Sequence, residues 1–166
     1  MFSMYDATIP PIKRILNNLS AILKKAQDHA DVKKIDPSVL ITARLFPDMY
    51  PLSRQVQIAT DMSKGGAARL AGIEIPKYED NETTFDDFQA RISKTIAFLD
   101  SIKHEQLVGA EKHDISITVG KTELAFTGEQ YLLHWVNPNV YFHVTTAYDI
   151  LRHNGVELGK RDYLGG

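Results

Sequence analysis

Residues 127–155, TGEQYLLHWVNPNVYFHVTTAYDILRHNG, predict one long amphipathic helix, and this helix indicates the fold class of the chain. Thr127 and Gln130 have the spacing of a capping box, which closes the first turn of a helix. Asn154 and Gly155 are typical of the residues at which a helix ends. Between these limits the apolar side chains recur at helical spacing. Such a helix buries its apolar face only by packing against other elements, so the rest of the chain must supply them.

Three further segments have the same helical period and complete a bundle. They cover residues 9–26, 52–72 and 84–102, and each is followed by a polar connection. In the first of them, Pro10 and Pro11 are expected in the first helical turn, where a missing amide donor leaves no hydrogen bond unmade.

Two capping signals mark the starts of predicted helices. Asp36 followed by Pro37 predicts the start of a short helix that runs to about Ala43. Thr84 with Asp87 is a capping box in which Asp takes the place of Glu. The third long helix is therefore expected to begin directly after Thr84.

The helical period is interrupted once, shortly before residue 127. In the stretch DISITVGKTELAF, apolar and polar side chains alternate on both sides of a turn at Gly120 and Lys121. This pattern predicts a β-hairpin at roughly residues 114–126. The predicted fold is all-α: a single four-helix-bundle domain over residues 1–166, with one small hairpin inserted before the last helix.

The composition excludes several classes of function. Lys and Arg number 19 against 21 Asp and Glu, a formal net charge of −2, so the chain lacks the positive charge that nucleic acid or an anionic membrane attracts. The absence of cysteine excludes disulfides, thiolate metal sites and a cysteine nucleophile. No apolar run approaches the roughly 20 residues of a membrane span, and the N-terminus lacks the pattern of a signal peptide. We therefore expect a cytoplasmic protein that binds neither nucleic acid nor membrane.

The last predicted helix carries polar side chains on its inner face. At about 100° per residue, His143 lies within the apolar stripe and faces the bundle axis, with Asn139 one turn before it. His134 falls on the opposite side and is expected to face solvent or another subunit. An inward polar side chain needs a partner, because burying it alone is unfavourable.

The second long helix supplies candidate partners. Gln55 lies on its inner face, and Asp48 would join it if helical geometry extended that far upstream. Gln57 and Asp61 are expected to project outward. The predicted polar pocket is formed by four side chains: Asp48, Gln55, Asn139 and His143. Two interpretations stay open, a satisfied hydrogen-bond network that fixes the register of the helices and a pocket for a ligand.

Pro138 falls about ten residues inside the predicted last helix. A proline there removes one backbone hydrogen bond and clashes with the carbonyl of His134. A kink or bulge is therefore expected near residues 135–138. Such an irregularity either bends the helix around the core or accompanies a functional site.

A resemblance to a known family covers nearly the whole chain. It is carried by the stretches SMYDATIPPIKRILNNLSAIL, ARLFPDMYPLSRQVQIATD, GAARLAGIEIP, YLLHWVNPNVYFHVTTAYDILRHNGV and LGKRDYLGG. In these stretches the chain resembles the DinB-like superfamily, and within it an uncharacterised bacterial branch built from a domain of unknown function. The sequence ILRHNG followed by LGKRDYLGG is specific to that branch.

The resemblance implies a four-helix bundle of a kind regarded as metal-dependent enzymes, some of them thiol-transferases. Metal-binding members use one histidine from the second helix and an H-x-x-x-H pair from the fourth. His143 matches the second position of that pair, but Asn139 stands at the first, and Gln55 is the polar side chain nearest to the missing second-helix histidine. The implied metal site is therefore degenerate, with His143 as its one imidazole, since an amide oxygen is a poor ligand for zinc or nickel.

Three functions follow from these observations. We expect the chain to bind a small molecule in the polar pocket without a complete metal site, and no cofactor beyond a weakly bound divalent metal. An alternative is a divalent-metal-dependent transferase or hydrolase acting on a small thiol-type substrate, with His143 as a metal ligand or as a general base whose ordinary pKa suits neutral pH. Another alternative is a structural homodimer that forms contacts through the small residues of the second helix with His134 and Trp135. Members of the superfamily are commonly dimeric, so a homodimer is expected in each case.

Overall fold

A computed structural model describes residues 3–166, and the first two residues of the domain expected over 1–166 lie outside the described part. The helices are α1 Met4–Lys33, α2 Pro37–Ile41, α3 Leu52–Ala71, α4 Phe85–Ser101, α5 Gly128–Tyr131, α6 Asn137–His153 and α7 Lys160–Leu164. The strands are β1 Asp114–Val119 and β2 Thr122–Thr127, and a π-helical segment, Leu132–Val136, joins α5 to α6. This arrangement confirms the four-helix bundle with a hairpin before the last helix.

Helix α1 begins earlier than the sequence pattern predicts. Ser3 and Asp6 form a capping box at its start, because the Ser3 hydroxyl accepts from the Asp6 amide at 3.2 Å and the Asp6 carboxylate accepts from the Ser3 amide at 3.1 Å. Pro10 and Pro11 consequently lie inside the helix rather than in its first turn. The expectation for the two prolines was wrong, and each leaves one helical hydrogen bond unmade.

The other capping signals are confirmed. The Asp36 carboxylate accepts from the Ser38 amide at 2.9 Å and opens α2, which ends at Ile41 rather than Ala43. Capping boxes at Thr84 and Thr127 open α4 and α5. These ends agree with the sequence because a cap depends only on residues a few positions apart.

The hairpin has the register that the alternating pattern requires. Ile115 pairs with Phe126, Ile117 pairs with Leu124, and the turn lies between the strands at residues 120–121. Gly120 has a φ of 61°, a left-handed conformation that favours glycine. The two isoleucines are buried, so this face of the hairpin closes over the bundle.

The bundle is built from two closely packed helix pairs, α1 with α4 and α3 with α6. Where α3 passes the π-helical segment, Gly66 lies directly against the buried Val136. A Cβ atom built on Gly66 would lie only 2.6 Å from a methyl carbon of Val136. The small residues of α3 therefore allow close packing within the chain.

The last long helix is irregular next to Pro138, as the sequence predicts. In the segment Leu132–Val136 the hydrogen bonds skip an extra residue, and the amide of Asn137 donates to the carbonyl of Leu132. Next to Pro138, the side-chain amide of Asn139 donates to the Trp135 carbonyl at 2.7 Å.

The C-terminal segment lies across α1. Arg14 donates to the Leu164 carbonyl and Asn18 to the Tyr163 carbonyl, each at 2.9 Å, and Lys25 forms an ion pair with Asp162. The segment thereby extends the bundle surface beside α6. Within residues 3–166 no helix combines the length and the apolar character that crossing a membrane requires.

Candidate functional site

His143 is held by a single side chain from the facing helix. It lies on α6 with 9% of its surface exposed, and its Nδ1 lies 2.7 Å from Oε1 of Gln55 on α3. Gln55 is 2% exposed and also donates from Nε2 to the carbonyl of Tyr50 at 3.1 Å. The expectation that His143 is buried and faces the second long helix is confirmed.

These two hydrogen bonds determine the tautomer of the imidazole. The Tyr50 carbonyl can only accept, so the Gln55 amide must turn its nitrogen toward it and its oxygen toward His143. Because the amide oxygen of Gln55 can only accept a hydrogen bond, Nδ1 of His143 must carry the proton. The neutral ring consequently presents a lone pair at Nε2.

The Nε2 atom of His143 is the open position of the site. Nε2 forms no hydrogen bond within residues 3–166. It is also not one of the fully buried side-chain atoms without a partner, so solvent reaches it. Burial lowers the pKa of His143 to about 4, and the positive charge of Arg54 acts in the same direction. The imidazole is thus a neutral acceptor at physiological pH, and the ordinary pKa expected for a general base is not retained.

One aromatic side chain lies beside the His143 imidazole. The ring of Phe142 meets the His143 ring edge-on, with the centroids 5.2 Å apart. Phe142 is exposed, and so is Tyr50, whose backbone carbonyl holds Gln55. A molecule that approaches Nε2 of His143 therefore finds an acceptor beside the exposed ring of Phe142.

Two of the four residues predicted for the pocket do not join it by hydrogen bonds. Asp48 lies exposed in a turn between α2 and α3, because helical geometry does not extend upstream of Leu52. Asn139 is half-buried and its amide is bound to the Trp135 carbonyl of its own helix. Within the described residues, the predicted convergence of four side chains is reduced to the pair Gln55 and His143.

A second polar cluster, which the helical period does not predict, is centred on Arg91. This residue of α4 has only 2% of its side chain exposed. Its guanidinium donates to Asp61 and Glu82, each at 2.7 Å, and lies 3.1 Å from Asp80. Its Nε donates to the hydroxyl of Thr60 at 2.7 Å. Through these bonds Arg91 links α4 to α3 and to the connection between the two helices.

This cluster corrects the expectation that Gln57 and Asp61 project outward. Gln57 is 6% exposed and donates to Glu82 at 2.9 Å, while Asp61 pairs with Arg91 and Lys64. The polar connection after α3 folds back over them, which helical spacing alone does not reveal. The one signal in the sequence is Arg91 itself, a charged residue three positions after Phe88 and one before Ile92 on the buried face.

The side chains at His143 do not fit the metal centre that the resemblance implies. A metal site would need Gln55 and His143 as separate ligands, but the oxygen of Gln55 forms a hydrogen bond with the imidazole of His143. The side-chain amide of Asn139 is bound to the backbone. In the described chain no group of three or more His, Asp or Glu side chains lies close enough together to hold a metal ion. A single imidazole remains, which is fewer ligands than a zinc site uses.

The contact surface suggested for a homodimer is also partly used within the chain. Ser63, Gly66 and Ala67 are buried in the bundle, and Trp135 is half-buried with its ring 6.1 Å from that of Phe126 on the hairpin. His134 is exposed, as expected. The small residues of α3 pack inside one chain, so they are not available for the subunit contact expected from the sequence.

Comparisons with known proteins agree with this architecture. The profile of the family described as "Domain of unknown function (DUF1993)" matches residues 4–164. Among solved structures, the crystal structure of a DinB family member protein from Shewanella denitrificans has 43% sequence identity and a TM-score of 0.90. That similarity covers 98% of this chain and 92% of the other. No curated protein matches the chain.

Proposed function

The chain belongs to the DUF1993 family and has the fold of the DinB family, and from this premise we propose that it binds a small molecule at the imidazole of His143. One observation carries the proposal: Nδ1 of His143 is committed to Gln55, which leaves Nε2 as an acceptor without a partner among residues 3–166. A poorly solvated acceptor that gains a donor stabilises the complex, typically by about 1 kcal/mol. The ligand therefore carries a hydrogen-bond donor.

The surroundings of Nε2 restrict the ligand further. Arg54 also lowers the pKa of His143, but its guanidinium is paired with Asp80, so it offers a ligand little uncompensated charge. Phe142 offers exposed aromatic surface to an apolar part of the molecule. We propose a small polar compound that carries a hydrogen-bond donor and an apolar part.

The lowered pKa favours binding over proton-transfer chemistry. A general base works best when its pKa lies near the operating pH, whereas that of His143 is about 4. An imidazole with such a pKa accepts a hydrogen bond but removes a proton from a substrate only weakly. This is why the binding role ranks above a transferase or hydrolase.

The proposal is tested by nitrogen NMR on protein labelled with ¹⁵N at histidine. Small phenols, amides and alcohols are added in turn, and a binder is expected to shift Nε2 of His143 but not the ring of the exposed His134. His143→Ala is expected to abolish binding, and Gln55→Met to weaken it because the ring is no longer held. A library in which no compound perturbs His143 would contradict the proposal.

The metal-dependent alternative is tested on the same preparation. Since one imidazole with two committed amides makes a weak site, we expect no stoichiometric zinc or nickel in protein purified without added metal. About one metal ion per chain, lost in a His143→Ala variant, would contradict this and favour a metal-dependent transferase or hydrolase. Asn139→His is the matched gain-of-ligand variant, because it restores the second imidazole one turn away.

We also propose that the protein is a homodimer, and the support is the resemblance to a superfamily whose members are commonly dimeric. Size-exclusion chromatography with light scattering is expected to give twice the 18.7 kDa of one chain. The mass of a single chain at micromolar concentration would contradict it. The cytoplasmic location stays a prediction from the sequence.

A further inference from the structure

A second pocket, separate from His143, opens beside the π-helical segment. It has a volume of about 300 Å³ and lies between α3, the hairpin and Trp135. We call it the Trp135 pocket; its lining includes Lys64, Arg69, Val119, Tyr131 and Trp135. Lys64 lies nine residues after Gln55 on α3, a distance of about 14 Å along the helix. The two sites are therefore distinct.

Local irregularities of the chain create this pocket. Trp135 belongs to the π-helical segment Leu132–Val136, and strand β1 of the hairpin contributes Ile117, Thr118 and Val119 to the lining. On α3, Gly65 leaves room for the guanidinium of Arg69, since a Cβ atom on Gly65 would lie 3.0 Å from the Arg69 Nη1 atom. Helix bulges of this kind often occur at functional sites.

The charged side chains that line the Trp135 pocket leave an excess of positive charge. They are Lys64, Arg69 and Asp61. The side chain of Lys64 is only 8% exposed. Its ammonium group lies 2.9 Å from the Asp61 carboxylate, which also lies 2.7 Å from the Arg91 guanidinium. Arg91 is also paired with Asp80 and Glu82, so Asp61 mainly balances Lys64. The uncompensated charge of the lining is that of Arg69, which forms no ion pair within residues 3–166, and it favours an anionic ligand.

Tyr131 offers the pocket a hydrogen-bond donor that nothing in the described chain uses. The residue is 2% exposed, and its hydroxyl oxygen accepts from Arg69 at 3.3 Å. Its own O–H donates to no acceptor within residues 3–166. Burial raises the pKa of Tyr131, so the phenol keeps its proton at neutral pH. A buried phenol that accepts from a cation and donates to nothing is suited to a negatively charged oxygen.

The remaining lining is apolar and aromatic. Trp135 is half-buried, and Val119 at the end of β1 is 44% exposed. A flat ring between them would cover Val119 and stack on the indole. The volume lies at the lower end of the range for ligand pockets, which limits the occupant to one ring.

We propose that the Trp135 pocket binds a monocyclic aromatic carboxylate, with the carboxylate toward Tyr131, Arg69 and Lys64 and the ring on Trp135. The proposal does not depend on the His143 site.

The test uses the full chain and benzoate as the probe. Trp135 is the only tryptophan, so its indole N–H gives a single cross-peak in a ¹⁵N-labelled sample. Benzoate is expected to shift that peak saturably, and benzamide, its neutral analogue, to shift it much less. No shift at millimolar benzoate, or equal shifts with benzamide, would overturn the proposal.

Two variants assign the contacts. Tyr131→Phe removes only the hydroxyl and Arg69→Gln removes a charge, and each is expected to weaken benzoate binding by about fivefold to tenfold. Tyr148→Phe, on α6 beside Tyr163, is the matched control and should bind like the unmodified protein. Circular dichroism confirms that each variant is folded. Unchanged affinity in both folded test variants would overturn the assignment.

Discussion

His143 couples the stability of the fold to pH. Its pKa is about 4 in the folded chain, against a reference value of 6.5 for an exposed imidazole. Acidification between these values protonates the unfolded chain but not the folded one, so unfolding becomes more favourable as the pH falls. We expect the free energy of unfolding to decrease by about 1–2 kcal/mol between pH 7 and pH 5 from this residue.

Urea denaturation at a series of pH values measures the effect. His143→Gln removes the titrating group and is expected to flatten the pH dependence in this range. His134→Gln, at an exposed position, should leave it unchanged. A His143→Gln protein with the same pH dependence as the unmodified chain would show that the imidazole is not held neutral.

The bond between His143 and Gln55 contributes to stability as a pair. His143→Ala removes a buried hydrogen bond and leaves Oε1 of Gln55 without its donor, so the free energy of unfolding should fall by about 1–3 kcal/mol. Gln55→Ala should cost a similar amount, and the double variant should cost less than the sum of the two. Denaturant titration of the four proteins measures this coupling, and strictly additive costs would contradict it.

At the scale of elements, the contact of α3 with the π-helical segment depends on Gly66. Alanine there would gain about 1 kcal/mol in helix propensity, but its Cβ atom would overlap the buried Val136. We expect Gly66→Ala to destabilise the protein by about 1–3 kcal/mol. Gly65→Ala is the matched control: its Cβ atom meets only the flexible end of Arg69, so its effect should be neutral or stabilising.

Thermal unfolding followed by circular dichroism separates the two glycines. The Val136→Ala change should reduce the cost of Gly66→Ala, because it removes the methyl groups that the new atom meets. Equal melting temperatures for the Gly65→Ala and Gly66→Ala proteins would show that α3 moves away from the π-helical segment at little cost.

At the scale of the whole molecule, Arg91 joins α3, α4 and the connection between them. Arg91→Met would leave the carboxylates of Asp61 and Glu82 without their shared cation. Removing one partner from a buried ion pair typically costs about 3–5 kcal/mol. We expect a loss of that order, and faster hydrogen exchange in residues 73–84.

Lys94→Met provides the comparison for this variant. Lys94 is exposed and lies over the same Tyr78 ring as Arg91, with its ammonium 4.3 Å from the ring centroid. Its loss should change stability by less than about 0.5 kcal/mol. If both variants had the same small effect, the Arg91 cluster would be a solvated surface feature.

Features that depend on residues close together in the chain can be predicted from the amino-acid sequence. The caps at Asp36, Thr84 and Thr127, the hairpin turn at Gly120 and the bulge before Pro138 all follow from side chains a few positions apart. A helix or hairpin end is chosen by local hydrogen bonds and backbone freedom, so local patterns predict it. Ser3 and Asp6 follow the same rule, because their capping-box spacing is sufficient to predict the start of α1 from the sequence.

The tertiary structure decided which polar side chains meet. Helical spacing gives the direction of Gln55 and His143, but only the packing of α3 on α6 brings their atoms to 2.7 Å and lowers the pKa of the imidazole. It also buries Gln57 beneath a connection that no periodicity describes, and leaves Asp48 in solvent. The physical reason is that desolvation and hydrogen-bond geometry depend on every element that covers a group, and those elements come from distant parts of the chain.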